Sequence, residues 1–532
     1  MERLVNPKQY ISGLQSPENR PDLLLVNSPI NDYTNVVRPD TEQLPAFGLA
    51  HIATECERAG YNVGVVDAEA HALSPELAAQ VINEVKPKFV GINMLTPTFP
   101  LAKRILTNLD RDIPVAAGGA HAKAMPERIL RDVEIGGRII TLALEDGEYI
   151  MRGILDGVSP QSMGGVAFLK DNGDFVEVRH DVEDKWVPKD LDKMFFADRK
   201  FLPLDPFPSQ GKLETNMVGS RGCPFNCRFC AGASDQLLFG VRNRTPNNLV
   251  AELSELQDQG INAVRFIDDL FLANKKRMTG FFTQMIETGL SSHYSWDATG
   301  RVNTLSKLDD EMLSLIARSG AREISIGAES AVPRILDIHD KSITPDMVTT
   351  TVAKLASVGI RTKAYFILGS PTETAEEMEQ TVNFMHYLRR VARQAVAENP
   401  TTPSGGINTA QCRGSMFEFR PYPGTTLYDY VTGKLPWPND NSLNGRIKYM
   451  YTEDEILHGF QPVLMEGLEE RQKHNYTTSL PFSEVTPSEI QAMIANAMKV
   501  QRDEMIREGE YLPGIKRASS GQALFSREVE SR

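Results

Sequence analysis

Cysteine is scarce in this chain, with five in 532 residues. The opening stretch, residues 1–9, is polar and carries no apolar leader, so a disulfide framework is not expected and a reducing, cytoplasmic setting is. Long hydrophobic runs are missing too. No stretch of about eighteen apolar residues occurs, so no membrane span is predicted. Basic residues are outnumbered, 57 Lys and Arg against 70 Asp and Glu, for a net charge of −13. That balance argues against broad nucleic-acid binding and against docking on an anionic membrane. The N-terminal strand–helix junctions lack both G-x-G-x-x-G and G-x-x-x-x-G-K-[ST], so nothing there marks a nucleotide pocket. No internal repeat or low-complexity segment stands out.

A chain of this length exceeds what one core usually holds, and two or three domains are expected. In the N-terminal part, apolar runs over 22–27, 63–66, 89–94 and 115–117 read as strands. They alternate with helix-period segments over 44–59, 75–85, 101–109 and 126–131. This predicts a parallel, doubly wound sheet whose ligands sit at the carboxyl ends of its strands, in the loops 27–38, 67–71, 93–98 and 118–121. Residues 168–176 read as a hairpin around Asn172-Gly173, and the Pro- and Asp-rich tract 188–208 as a linker. Alternation then resumes, with strands over 215–218, 263–267, 294–298, 323–326, 363–368 and 416–419. Helices are predicted over 453–473 and 487–508, with a frayed tail from Lys516. Tyr422, Tyr428, Trp437, Tyr449 and Tyr451 are expected to pack in the core rather than line a pocket.

Three of the five cysteines fall in one loop, Arg221-Gly222-Cys223-Pro224-Phe225-Asn226-Cys227-Arg228-Phe229-Cys230, spaced C-x3-C-x2-C. A structural zinc site wants four ligands, and no second pair lies nearby. Cys56 and Cys412 stand alone and read as small buried hydrophobes. A cubane iron–sulfur cluster held by three thiolates keeps one iron open for a small molecule. The spacing, with Phe229 before the last cysteine, resembles the signature of the radical S-adenosylmethionine (radical SAM) enzymes. That resemblance implies that Cys223, Cys227 and Cys230 hold a [4Fe-4S] cluster. Its open iron would chelate S-adenosylmethionine, which is then cleaved to a 5'-deoxyadenosyl radical. It also implies a partial barrel of six parallel strands with the working groups at their carboxyl ends.

Those ends carry Asp268 and Asp269, then Arg301, then Glu329 and Ser330. Carboxylates suit an ammonium and ribose hydroxyls, and an arginine fork suits a carboxylate. The resemblance therefore implies Asp268 or Asp269 near the methionyl ammonium, Arg301 near its carboxylate, and Glu329 with Ser330 near the ribose or methionyl part. The plainer reading of the Asp pair is a helix N-cap, and that of Glu329 a salt bridge on the barrel rim.

Further upstream, Asn27-Ser28-Pro29, residues 44–53, Gly60-Tyr61-Asn62-Val63, residues 93–98 and Gly118-Gly119-Ala120-His121 follow one another in an order that resembles the cobalamin-binding domain fused to many radical SAM enzymes. The resemblance implies that Asn93, Thr96, Thr98, Gly118, Gly119 and His121 surround a corrin ring. One departure stands out. The Asp-x-His-x-x-Gly motif that supplies a lower axial imidazole elsewhere is absent, because Asp67-Ala68-Glu69-Ala70-His71 has the wrong spacing. The lower face is then empty, water-bound or covered by a residue other than His. His51 and His71 are expected to be hydrogen-bonded loop or helix histidines, and His121 either that or a corrin neighbour.

The expected architecture is α/β. A doubly wound, Rossmann-like cobalamin-binding domain (1–150) and a connector with a hairpin (151–210) precede a partial (β/α)6 radical SAM barrel (211–428) and a helical C-terminal region (429–532). The resemblance implies a cobalamin-dependent methyltransferase. It would use S-adenosylmethionine both as methyl source and as radical source, and would methylate an unactivated carbon of a small molecule or natural-product precursor. An electron donor such as flavodoxin or ferredoxin is the implied partner. Two alternatives stay open: a cyclase or ring-rearranging enzyme with the same cofactors but no methyl transfer, and a non-catalytic iron–sulfur electron-transfer or sensing protein.

Overall fold

A computed structural model describes residues 6–34, 45–180, 185–203, 205–209, 211–232, 240–437, 451–462, 476–478 and 480–510. Its N-terminal sheet contains β1 (Leu23–Asn27), β2 (Val63–Asp67), β3 (Phe89–Asn93), β4 (Val115–Gly118), β5 (Ile139–Ala143), β6 (Val166–Leu169) and β7 (Phe175–Val178). The order is β2-β1-β3-β4-β5-β6-β7. The first five strands run parallel, and β6 and β7 add an antiparallel hairpin at one edge. Leu23 to Val26 are all buried, as a central strand covered on both faces requires. The covering helices start where their caps allow. Ser74 Oγ accepts from Leu77 N (3.2 Å) with Pro75 at the first helical position, and the helix Pro75–Val85 ends at Lys86 in the left-handed region. Cys56 is fully buried in this core, and burial pushes its thiol well up, so it packs as a small hydrophobe.

The second sheet is formed by β8 (Phe207–Ser209), β9 (Lys212–Met217), β12 (Ala263–Phe266), β13 (Ser295–Gly300), β14 (Ala321–Glu329), β15 (Arg361–Leu368) and β16 (Cys412–Glu418). A two-stranded ribbon, β10 (Ser220–Arg221) with β11 (Arg242–Asn243), stands beside it. The order β16-β15-β14-β13-β12-β9-β8 gives the six expected parallel strands, plus one antiparallel edge strand that the linker reading did not anticipate. Alternate residues divide the sheet into two faces. Val264, Phe266, Trp296, Ile324, Ile326, Ala364, Phe366 and Met416 join the helix-side core. The lumen side begins with a floor of ion pairs. Glu214 takes Arg265 (2.7 Å) and Arg322 (2.5 Å), Arg322 also holds Asp297 (2.5 Å), and Arg413 holds Glu323 (2.8 Å).

The connector is no loose linker. Leu191, Ala197, Phe201 and Leu202 are buried, and buried Arg199 pairs with Glu252 (2.9 Å), so the tract wedges between the two sheets. At the other end, the helix Pro487–Arg507 covers the β16 edge. Gln501 accepts from Gly414 N (2.7 Å) and donates to Gly414 O (3.0 Å), while Arg389 is gripped by Glu504, Glu508 and Glu510. Backbone groups of an edge strand are thereby satisfied. Cys412 lies beneath this contact, its thiol pushed up to about 12 by burial. The helix expected over 453–473 is shorter: it spans Glu453–Gly459, and Phe460–Pro462 then pairs antiparallel with Tyr476–Thr478. Gly459 and Pro462 are poor helix interiors, which accounts for the stop. Residues 463–473, Tyr449 and the tail from Lys516 lie outside the described residues. Tyr428 is fully buried and Tyr422, Trp437 and Tyr451 pack against the same apolar cluster, as expected.

The β15 end supplies a pH-sensitive joint. Gly369 is left-handed (φ +83), and Glu373 folds back so that one oxygen accepts from Gly369 N (2.8 Å) and Ser370 N (2.9 Å). Its other oxygen is buried without a partner among the described residues. Burial outweighs the two hydrogen bonds and pushes the carboxyl from 4.5 up to about 8. A raised carboxyl favours a protonated folded state, so this group's contribution is full at acid pH and is lost as pH rises toward about 8. Glu373→Gln keeps an acceptor for both N–H groups without the charge. In thermal melts, the wild-type midpoint is expected to fall from about pH 5 to pH 8 and the variant's to stay nearly level; parallel slopes would place the effect elsewhere.

Candidate active site

β9 delivers the chain to a loop at the carboxyl end of the second sheet, and three tethers shape that loop. Asp268, just past β12, accepts from Gly219 N (2.7 Å) and Ser220 Oγ (2.6 Å). Asp269 accepts from Gly222 N (3.1 Å). Gly222 is left-handed (φ +86), and a Cβ there would come 3.0 Å from Gly240 O, so only glycine fits the turn. The far side of the loop is held by the turn after β14. Arg228 N donates to His339 O (3.0 Å), Arg228 Nη1 reaches Asp337 O (3.3 Å), and Phe229 packs on the His339 ring at 5.0 Å.

Cys223, Cys227 and Cys230 line this loop. Burial raises the thiols of Cys223 and Cys230, and Cys227 and Asp269 push both further in the same direction. The sulfurs are thus close enough to interact. Yet among the described residues no three His, Cys, Asp or Glu side chains gather as a single metal ion would need. Three cysteines on one loop at the spacing C-x3-C-x2-C are the donor set for three corners of an iron–sulfur cluster. Arg301 adds a cation: its Nη1 donates to Cys227 Sγ (2.9 Å), its Nη2 donates to Lys341 O, and its guanidinium lies 3.8 Å over the Phe225 ring. It is therefore turned toward the cysteine loop, with Nε buried and without a partner among the described residues.

The remaining barrel-end residues fall into two groups. Asp268 is buried and both its oxygens serve the loop; burial pushes it up to about 6 despite those bonds. Ser330 is also spoken for, sharing a contact with Thr381 Oγ1 (3.1 Å) and accepting from Val332 N (3.1 Å). Glu329 projects from a left-handed backbone (φ +60) at a register shift between β14 and β15, and accepts from Lys341 Nζ (2.6 Å). Asp269 is exposed, and one of its oxygens has no protein partner among the described residues. Lys341 and His339 carried no signal in the sequence, since both lie in a helix–turn whose neighbours are ordinary.

The strand ends of the N-terminal sheet form a second polar rim. Asn93 accepts from Ser28 N (2.9 Å) and donates to Asn27 (2.8 Å), which in turn donates to Asp67 (2.8 Å). Gly119 is left-handed (φ +102), and a Cβ there would meet Met94 O at 2.6 Å, so the β3 and β4 loops touch only because residue 119 is glycine. His121 lies 3.1 Å from Thr96 Oγ1 through Nδ1 and packs on Phe99 at 4.4 Å. Burial, then the field of Arg128, lowers it to about 4, so it is neutral at pH 7. Thr98 Oγ1 accepts from Leu95 N (3.1 Å). Beside these polar groups Ile30 (36%) and Leu95 (43%) stay exposed, an apolar surface that fits a flat macrocycle with amide arms. His51 departs from expectation: neither ring nitrogen has a partner among the described residues, and the ring sits edge-on to Phe47 (5.1 Å) in a small cavity lined by Phe196, Arg221 and Arg244. His71 stands edge-on to Tyr10 (5.6 Å).

The two rims face each other. Arg221, two residues before Cys223, binds Glu148 (2.6 Å) and Asp146 (3.1 Å) beyond β5, and Arg242 joins Asp146 (2.6 Å). On the opposite side Arg128 pairs with Asp454, and a Cβ on Gly424 would lie 3.1 Å from Ala124. Burial opposes the charge on Arg221, but Glu148 and Asp146 overcome it and hold the guanidinium protonated. Neither carboxylate partner was visible in the sequence, because they lie about seventy residues upstream.

The family model of the radical SAM superfamily matches residues 217–385, and that of the B12 binding domain matches residues 34–149. The uncharacterized methyltransferase PH0819 of Pyrococcus horikoshii is 31% identical over 397 residues, 73% of this chain and 78% of its own length. The anaerobic magnesium-protoporphyrin IX monomethyl ester cyclase of Rubrivivax gelatinosus is 26% identical over 354 residues, and the match spans 63% of this chain and 61% of that protein. Among solved structures, the radical S-adenosylmethionine methyltransferase TsrM from Kitasatospora setae, with cobalamin and a [4Fe-4S] cluster bound, superposes with a TM-score of 0.63 at 16% identity, covering 90% of each chain. Fold, paired rims and these matches define an enzyme of the radical SAM class. The chain belongs to the cobalamin-dependent branch of that superfamily, whose cofactors are a [4Fe-4S] cluster, S-adenosylmethionine and cobalamin. Among the described residues, no helix is long and apolar enough to cross a membrane.

Removing the Arg221 guanidinium leaves buried Glu148 without its ion-pair partner, while Asp146 keeps Arg242. Arg221→Met is expected to lower unfolding stability in urea by about 3–5 kcal/mol, and the double change with Glu148→Leu to recover much of it. Equal losses in both variants would show that the pair is not what joins the rims.

Proposed function

We propose that this enzyme is a cobalamin-dependent radical SAM methyltransferase that methylates an unactivated carbon of a small molecule. The observation that carries this reading is the opposition of the cysteine loop and the cobalamin rim, fixed by Arg221 with Glu148 and Asp146. When bound, the cluster with S-adenosylmethionine supplies one-electron cleavage to a hydrogen-abstracting radical, and cobalamin supplies methyl transfer to the resulting carbon radical. Cys223, Cys227 and Cys230 hold the cluster. Arg301 places its positive charge against Cys227 and orients that sulfur, which argues for a role on the cluster side rather than at the methionyl carboxylate. Asp269, with an oxygen to spare beside the cysteines, is the carboxylate for the methionyl ammonium, while Asp268 locks the loop. Glu329, with Lys341 fixing its orientation, serves the ribose or methionyl part, and Ser330 ties the following turn through Thr381 and Val332.

On the other rim, Asn93, Thr96, Thr98, Gly118, Gly119 and His121 surround the corrin. His121 is tied to Thr96 and keeps a neutral ring, so it acts as a neighbour rather than as a charged group. The connector and the helix Glu453–Gly459 close the sides of the chamber and exclude water from radical chemistry. A low-potential donor such as flavodoxin or ferredoxin supplies the electron.

S-adenosylmethionine carrying a trideuterated methyl group tests this. Incubated anaerobically with enzyme, reductant and an extract of the producing cells, it is expected to yield 5'-deoxyadenosine together with a product heavier by the labelled methyl. 5'-Deoxyadenosine with no label in any product would instead identify a cyclase or rearranging enzyme, as similarity to the Rubrivivax gelatinosus cyclase allows. Cys227→Ala is expected to abolish both signals.

A further inference from the structure

Above the ion-paired floor, the barrel lumen carries a row of polar side chains that make no ion pair or hydrogen bond among the described residues. Thr299 lies opposite Ser325, and Ser325 opposite Lys363, one level across β13, β14 and β15. All three are half-buried. Their neighbours in sequence, Ala298, Ile324, Ile326 and Ala364, belong to the helix-side core, so the three project into the lumen. The charged lumen residues around them gather on carboxylates: Arg265 and Arg322 on Glu214, Arg322 on Asp297, and Arg413, which stands opposite Lys363 on β16, on Glu323, whose field Arg361 and Lys363 also share. Lys363 makes no ion pair or hydrogen bond among the described residues. Its ammonium rests 5.0 Å over the Tyr365 ring. The Thr299 and Ser325 hydroxyls likewise have no hydrogen-bond partner among the described residues. Toward the mouth, Gly327 lies opposite Tyr365, Tyr365 opposite Ser415 and Ile367 opposite Phe417, with the Tyr365 and Phe417 rings 5.9 Å apart and Ile267 39% exposed, while over Gly327 the Glu329 carboxylate and the Lys341 ammonium pair with each other.

We infer that Lys363, Ser325 and Thr299 form the anchor for an oxyanion of the substrate, a carboxylate or a phosphate, whose apolar or planar body lies along Tyr365, Phe417 and Ile267. An ammonium in line with two hydroxyl donors, with Arg413 across from it on β16 and with Arg413, Arg361 and Lys363 all sharing the field of Glu323, is a locally cationic, charge-assisted site that suits an oxyanion. The flanking aromatics supply the walls. Arg301 lies two residues past Thr299 on the same face, about 7 Å closer to the mouth at a strand rise of ~3.3 Å per residue. The anchored group therefore sits roughly that far from the level at which Arg301 meets Cys227, and the reacting carbon lies between them. This deepens the methyltransferase reading and rests on it only in taking the lumen as the reaction chamber.

The test is equilibrium dialysis of the full-length, cluster-loaded protein with three probes that share one ring: phenyl phosphate, benzoate and benzyl alcohol. At least one anionic probe is expected to bind about tenfold or more tightly than the alcohol, the gain of one charge-assisted site. Preference for phenyl phosphate assigns a phosphorylated substrate, and preference for benzoate a carboxylic acid. Lys363→Met is expected to abolish the preference, Lys363→Arg to restore it, and Ser325→Ala to weaken it. Binding by no probe, equal binding by all three, or a preference unchanged in Lys363→Met overturns the assignment. Labelled product without anion preference would sink the anchor alone. Anion preference without labelled product would sink methyl transfer and leave the anchor standing.

Discussion

The buried ion pairs of Arg221 with Glu148 and Asp146 hold together what radical chemistry must keep together. Arg221 begins the segment that bears the three cysteines, and its partners stand at the carboxyl end of the fifth strand of the other sheet. Burying two carboxylates beside two guanidiniums is costly unless every charge is matched, and here Arg242 completes the set at Asp146. A contact of that kind has one good geometry. Hydrophobic docking would tolerate sliding of one sheet against the other, and a sliding interface could not keep two cofactors at a working separation.

Around each cofactor rim the same economy of means recurs. Backbone groups that a loop leaves open are closed by a side chain from the next strand: Asp268 on Gly219 and Ser220, Asp269 on Gly222, Asn93 on Ser28. Short polar side chains at strand ends are well suited to this, since they reach neighbouring backbone without filling the space above it. An Asp269 oxygen above the barrel and the apolar Ile30 and Leu95 above the other sheet stay exposed once those closures are made.

Much of this was legible in the chain itself. The β/α alternation announced both parallel sheets, because strands covered on both faces must be apolar throughout, and the C-x3-C-x2-C loop with Phe229 announced its chemistry through its resemblance to the radical SAM signature. What stayed hidden depends on distance in sequence. Ile139–Ala143 is a short strand whose Thr141 and exposed Ile140 blur its pattern, so the fifth parallel strand was not foreseen. The tract 188–208 looked like a linker because prolines and acids punctuate it, yet its Phe201 and Leu202 are buried once two sheets exist to receive them. Asp268 and Asp269 look identical on paper. Only the position of Ser220 and Gly222 decides that one is structural and the other is open.

One missing methyl group sets a limit on how this enzyme can vary. At Gly327 a Cβ would fall 2.1 Å from a carboxylate oxygen of Glu329 and 2.6 Å from the Lys341 ammonium. Lys341 presents its carbonyl to Arg301, and Arg301 touches Cys227. A glycine-to-alanine change in mid-strand would therefore have to push the tips of Glu329 and Lys341 aside, and the disturbance would be passed on toward Arg301 and the cysteine loop. What position 327 tolerates is set by side chains that belong to other parts of the chain.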